Sequence, residues 1–125
     1  MKPNVGAQIG IGAVLAGLAV VLGAFGAHGL RDRLGEGGIA LWQTGAHYHL
    51  VHALAIIVSA LCAEKIPAAK NVVWCFVIGV VIFSGSLYAL ALTGIRGFGA
   101  ITPFGGVALI LGWAWLAWAA FRARS

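Results

Sequence analysis

Four stretches of this chain, residues 5–27, 45–63, 72–93 and 103–121, contain no Asp, Glu, Lys or Arg. A helix needs about 20 residues, at a rise of about 1.5 Å each, to cross a hydrocarbon layer about 30 Å thick. Each stretch is close to that length, and together they leave little chain for anything else. The sequence therefore predicts an all-α integral membrane protein, with residues 1–125 forming one four-span transmembrane domain. Short connections make it a four-helix bundle.

The charges agree with this reading. The chain is 62% hydrophobic and 9% charged, far below the roughly one quarter charged residues of soluble domains. A net charge of +5 would suit nucleic acid only if the basic residues gathered on one face. They do not: Lys2, Arg31, Arg33, Lys65, Lys70, Arg96, Arg122 and Arg124 all lie outside the apolar runs, where they read as headgroup anchors. No nucleic-acid partner is expected; membrane lipid is. Lys2, Lys65, Lys70, Arg122 and Arg124 share the side that carries both termini and the middle loop, against Arg31, Arg33 and Arg96 opposite. That excess predicts both termini in the cytoplasm. The first run is longer than the 7–15 apolar residues of a secretory signal and reads as a retained anchor. Cys62 and Cys75 have no CxxC spacing and are assigned to the reducing side, so they read as small packing residues.

Helices associate in lipid by close packing, which small residues permit. In the first run Gly6, Gly10, Ala13, Gly17, Ala24 and Ala27 recur at steps of three, four or seven and predict a packing seam; Gly105, Ala108 and Gly112 predict another in the fourth. Because four helices cannot bury every such seam, a homo-oligomer or a partner membrane protein is expected. Gln8 is expected to hydrogen-bond near the end of its helix. The Gly29–Leu41 stretch, with its mixed charges and glycines, reads as an interfacial connector. Helix is expected to restart near Ile39, with Trp42 at headgroup level. Pro67 closes a tight turn between the second and third spans, making them antiparallel neighbours. Thr102-Pro103 has the form of a helix start.

The uncharged polar groups are unevenly placed. His28 ends the first span, Thr44, Tyr48, His49 and His52 begin the second, Ser84, Ser86, Tyr88 and Thr93 close the third, and Thr102 opens the fourth. Antiparallel spans bring all of them to one half of the membrane. Helical spacing puts Tyr48, His49 and His52 on an inward face and turns His47 away. Polar groups at bilayer depth tend to face the bundle interior or a wet cavity. The candidate ligand-binding or interhelical polar cluster is therefore His28, Thr44, Tyr48, His49, His52, Ser84, Ser86, Tyr88 and Thr102.

These residues also carry a family resemblance. Gly23-Ala24-Phe25-Gly26-Ala27-His28, Gln43-Thr44-Gly45 with Tyr48 and His52-Ala53-Leu54-Ala55, Phe83-Ser84-Gly85-Ser86-Leu87-Tyr88, and Thr102-Pro103 with Gly105-Gly106 and Gly112-Trp113 resemble the signatures of domain-of-unknown-function family 423. That family includes bacterial inner-membrane proteins and the eukaryotic transmembrane protein 256. The resemblance implies a multi-pass bacterial inner-membrane protein with four spans, and it supplies no activity and no catalytic residues. It also implies that His28 and His52 match the family pattern, while position 49 is His or Gln.

The chemistry divides into classes. No nucleophile–base pair, acidic dyad or phosphate loop is present, so an enzyme is not expected. Imidazoles suit a transition metal such as Cu or Zn, for which His28, His49 and His52 are the candidate ligands. No carboxylate or thiolate is available on that side, and no HExxH spacing occurs. Haem would require His28 to face His49 or His52 across two helices. Binding of a lipid or small ligand, or transport of a small solute, would use the histidines, tyrosines and serines as hydrogen-bonding groups. The simplest reading makes the same groups interhelical pegs. The expectation is a structural, interaction or small-ligand-binding bundle with no resident cofactor; metal binding or small-solute transport is the alternative.

Overall fold

A computed structural model describes residues 3–123. The anchoring role read for Lys2 and Arg124 lies outside the described residues. Four helices follow one another: α1, Pro3–His28; α2, Arg31–Cys62; α3, Ala69–Thr93; and α4, Arg96–Ala123. All four are long and apolar enough to cross a membrane, as the uncharged runs predict.

The helices are longer than the uncharged runs. α2 begins at Arg31 instead of near Ile39, so the charged connector is largely helical. Gly35 interrupts it with φ 69° and ψ 178°, a conformation open to glycine and strained for other residues. α4 begins at Arg96 and runs through Pro103, which the sequence reading took as a helix start. Pro103 removes the amide that would bond the Gly99 carbonyl. Gly94, with φ 71°, ends α3 and donates its amide to the Leu90 carbonyl at 2.7 Å.

Extensive packing joins α1 to α2, α2 to α3 and α3 to α4, while α1 touches α3 only slightly. Successive antiparallel helices thus form a row, with α2 and α3 in the middle and α1 and α4 at its margins. The buried core of Ala55, Ile56, Ala60, Val72, Val73, Phe76, Val80 and Leu109 sits where α2, α3 and α4 meet. One end of the row carries the α1–α2 and α3–α4 turns and is called here the two-turn end. The other carries the α2–α3 turn.

The packing face of α1 is a correction to the sequence reading. Gly6, Gly10, Ala13, Gly17 and Ala24 are exposed, and a Cβ added at Gly6, Gly10 or Gly17 would touch nothing. The buried line is instead Gln8, Gly12, Ala19 and Gly26. A Cβ at Gly12 would lie 2.6 Å from Ile57 Cγ1, and one at Gly26 would run into the Trp42 indole. Both lines have helical spacing and are offset by two residues, about 200° around the axis. Spacing alone gives no preference; the bulky Trp42, Ile56 and Ile57 on α2 decide it. In α4 the expected seam is present at two positions, Gly105 against the Phe83 backbone and Gly112 against Phe76 and Cys75.

Candidate functional site

α2 packs against α1 on one side and α3 on the other, and its polar residues separate accordingly. Toward α1 and α3, His49 is 5% exposed. Its Nδ1 lies 2.9 Å from the Tyr88 hydroxyl. Its Nε2 is buried and completes no hydrogen bond, although the Leu15 carbonyl of α1 faces the ring. Trp42 packs on Tyr88 with ring centroids 4.7 Å apart. It donates its indole N–H to the Leu22 carbonyl of α1 at 2.7 Å. Trp42 is therefore enclosed by protein, at 3% exposure, instead of sitting among headgroups as expected. The glycine at position 26 makes this possible by leaving room for the indole.

Toward α3 and α4, His52 has both ring nitrogens engaged. Nδ1 lies 2.8 Å from the Tyr48 carbonyl, which can only accept, so this nitrogen carries the proton. Nε2 accepts the indole N–H of Trp113 on α4 at 2.8 Å. The geometry fixes one neutral tautomer. Phe76 of α3 packs against both partners, 5.5 Å from the His52 ring and 4.8 Å from Trp113.

The hydroxyls are used one at a time between neighbouring helices. Ser84 Oγ donates to the Gly45 carbonyl of α2 at 2.7 Å. A Cβ at Gly45 would crowd the Tyr88 ring at 3.0 Å, so close approach of α2 and α3 is built into that position. Ser86 bonds Thr102 across α3 and α4, and Thr102 Oγ1 also donates to the Phe98 carbonyl of its own helix at 3.2 Å. Such interhelical bonds are each worth about 0.6 kcal/mol and seldom exceed about 1.7.

Seven of the nine expected cluster residues thus lie at or beside helix contacts, but they form separate pairs. His28 and Thr44 are exposed and join none of them. Tyr48, expected to face inward, is 42% exposed. Its ring stacks 15° from parallel to His52 at 6.0 Å and meets the edge of Phe83 at 5.0 Å. Among the described residues no three His, Cys, Asp or Glu side chains are grouped as a metal would need; His49 and His52 face different neighbours, and His28 stands apart. Trp42 and Trp113 belong to the site and were absent from the sequence-derived set. An indole N–H inside an uncharged run has no water to bond, and that was the signal which could have found Trp113. The polar bias between membrane halves is also incomplete: Gln8 and Ser59, at the far end from the two turns, are almost fully buried. Gln8 Nε2 donates to the Lys70 carbonyl at 2.9 Å, as expected of a side chain near its helix end.

Beside the His52–Trp113 pair the row of helices leaves an opening. A cleft of about 290 Å³ is lined by Tyr48, His52, Phe83, Gly106, Leu109, Ile110 and Trp113. A second, of about 310 Å³, continues past Trp113 along Val51, Leu54, Ala55, Val58 and Leu116. From Tyr48 to Val58, α2 rises about 15 Å. Together the clefts make a lateral groove between α2 and α4 that is divided by the Trp113 indole bonded to His52; Phe83 of α3 floors the first part. Gly106 opens one wall: a Cβ there would meet Phe83 at an ordinary 3.7 Å, whereas at neighbouring Gly105 it would strike the Phe83 backbone.

Comparison with known proteins adds a family and no activity. The family described as "Protein of unknown function (DUF423)" matches residues 22–106. The "UPF0382 membrane protein YwdK" of Bacillus subtilis is 46% identical over 115 residues, covering 90% of this chain and 94% of that protein. A "UPF0382 membrane protein" of Staphylococcus epidermidis is 45% identical over 104 residues, covering 82% and 85%. No solved structure matches.

Proposed function

The chain belongs to the DUF423 family, and from that premise we propose that this small multi-pass membrane protein binds a hydrophobic molecule dissolved in the bilayer, held in the groove between α2 and α4. The observation that carries this reading is the groove itself. Its walls are aromatic and aliphatic, and its one imidazole, His52, has both nitrogens satisfied by protein. A groove whose one unpartnered polar group among the described residues is the Tyr48 hydroxyl suits an alkyl chain, and an ion or polar solute would find too little there to replace its water. The hydrogen-bonded pairs hold neighbouring helices in register, and the groove is what remains open between them.

Photolabelling of the detergent-extracted protein with a diazirine-bearing fatty acid tests this. Saturable labelling at Val51, Leu109 and Ile110 is expected, and Gly106→Leu, which projects a side chain into the groove, should abolish it. Labelling that never saturates and falls equally on exposed Val14, Val20 and Leu111 would leave the groove without a ligand.

A further inference from the structure

We infer that the groove's ligand is an acyl chain bent near its middle, as by a cis double bond, and that Trp113 is the residue that selects for the bend. This rests on the groove reading above and adds the shape of what the groove accepts. The two clefts follow one another along α2 and α4: Tyr48 and Gly106 line the first, Val58 and Leu116 the second, and Trp113 lines both. Their volumes, about 290 and 310 Å³, are nearly equal, so the divider stands close to halfway.

That divider is held in place. The Trp113 indole N–H is bonded to His52 Nε2 at 2.8 Å, His52 Nδ1 to the Tyr48 carbonyl at 2.8 Å, and Phe76 packs 4.8 Å from the indole. Swinging the indole aside would leave its N–H and His52 Nε2 without partners in hydrocarbon. A ligand must therefore go round it. A straight chain can fill one cleft, or ride over the indole and leave both partly empty. A chain bent at its middle passes outside the indole and keeps one half in each cleft, in contact with apolar wall on both sides of the bend.

The depth agrees. The charge-free part of α4 runs from 97 to 121 with Leu109 at its midpoint, and Trp113 lies four residues beyond it toward the α2–α3 turn end, about 6 Å along the axis. His52 lies past Leu50, the midpoint of the charge-free part of α2, 37–63, on the same side. With about 15 Å of hydrocarbon in each leaflet, the divider is close to mid-chain for the lipids of that leaflet. The first cleft then receives the terminal half of the chain, near the bilayer midplane, and the second the half nearer the headgroup.

The test is a titration of the full chain in detergent, read by native mass spectrometry, with oleic acid and its trans isomer elaidic acid, and with the phosphatidylglycerols that carry the same chains. The isomers differ only in the bend. The unmodified protein should prefer the cis chain about two- to tenfold, the worth of several atom contacts kept or lost. Trp113→Leu removes the divider, keeps the wall apolar and should bring the isomers to equal binding; if it fails to fold, Trp113→Phe, smaller and without the bond to His52, should reduce the preference. Filling either cleft should prevent binding of a chain that spans both: the second by Val58→Trp, the first by Gly106→Leu or, if that variant fails to fold, by Ile110→Trp from a position 67% exposed. A preference shown by the phosphatidylglycerols alone assigns the chain to a membrane lipid, and one shown by the free acids as well assigns it to acyl chains in general.

Equal binding of the two isomers to the unmodified protein, a cis preference that survives loss of the indole, or binding lost on filling one cleft and kept on filling the other overturns the bent-chain assignment while the groove stands. Undiminished binding to both kinds of filled variant overturns the groove reading itself.

Discussion

His49 and His52 lie three residues apart on the same helix, and the regions around them are built on opposite plans. On the α1 side, large groups fill spaces left by small ones: Trp42 enters at Gly26, Ile57 at Gly12, and Tyr88 closes over His49. Nothing there is open, yet His49 Nε2 completes no hydrogen bond. On the α4 side every polar atom of His52 is satisfied, and the surroundings are open to the bilayer. Tight packing and polar satisfaction are therefore separate properties here. An open flank made of satisfied groups is what an apolar ligand requires, whereas the closed flank holds α1 by the close packing at Gly12 and Gly26 and the Trp42–Leu22 hydrogen bond, despite the unfilled His49 Nε2.

The sharpest break in this comparison comes from its glycines. Gly26→Ala should be the most damaging change on the closed flank and Gly105→Ala on the α3–α4 contact, because the new methyl meets the Trp42 indole or the Phe83 backbone. Losses of about 1–3 kcal/mol or more are expected, seen as a fall in the midpoint of thermal unfolding in detergent. Gly106→Ala, one residue along and facing the groove, should be nearly silent; equal damage at 105 and 106 would mean that the groove is not open.

The hydrogen-bonded pair comes next. Trp113→Phe keeps an aromatic ring and removes the donor to His52 Nε2, which should cost about 0.6–1.7 kcal/mol. His52→Ala should destabilise by at least as much, since it also forfeits packing against Phe76. Lipid binding that survived Trp113→Phe with lowered stability would confirm that the pair sets the wall and is not itself the ligand contact.

The smallest effect is expected on the bare face of α1. Gly10→Ala adds a methyl that touches nothing and should change stability by no more than about 0.5 kcal/mol. A large fall in unfolding midpoint there would show that something besides this chain covers the face.

The sequence was a good guide to what each segment is and a poor one to which side it turns. Four membrane-crossing helices follow from charge exclusion alone, and the α2–α3 turn from Pro67. Ser84 and Tyr88, four residues apart, face α2 together; the Ser86–Thr102 bond was not legible beyond their shared membrane half. Periodicity failed on α1, where Gly6-Gly10-Ala13-Gly17 and Gln8-Gly12-Ala19-Gly26 are equally regular and only the partner's bulk distinguishes them. It failed again in gathering nine polar residues into one pocket, because a shared membrane half does not imply a shared interface. Four helices in a row give His49, His52, Ser84 and Ser86 each a separate partner. Trp42 and Trp113 fall outside the polar set because an indole counts as apolar in such a pattern, although its N–H is a donor that must find an acceptor.

The fixed tautomer of His52 has a consequence for ion movement. A histidine that passes protons along a chain must take one on one nitrogen and release one from the other. Here the first nitrogen points its hydrogen at an amide oxygen, and the second is stoppered by an indole that does not give up its own. For a proton arriving through the bilayer, His52 is a closed station, and a conducting path through this helix would have to go around it.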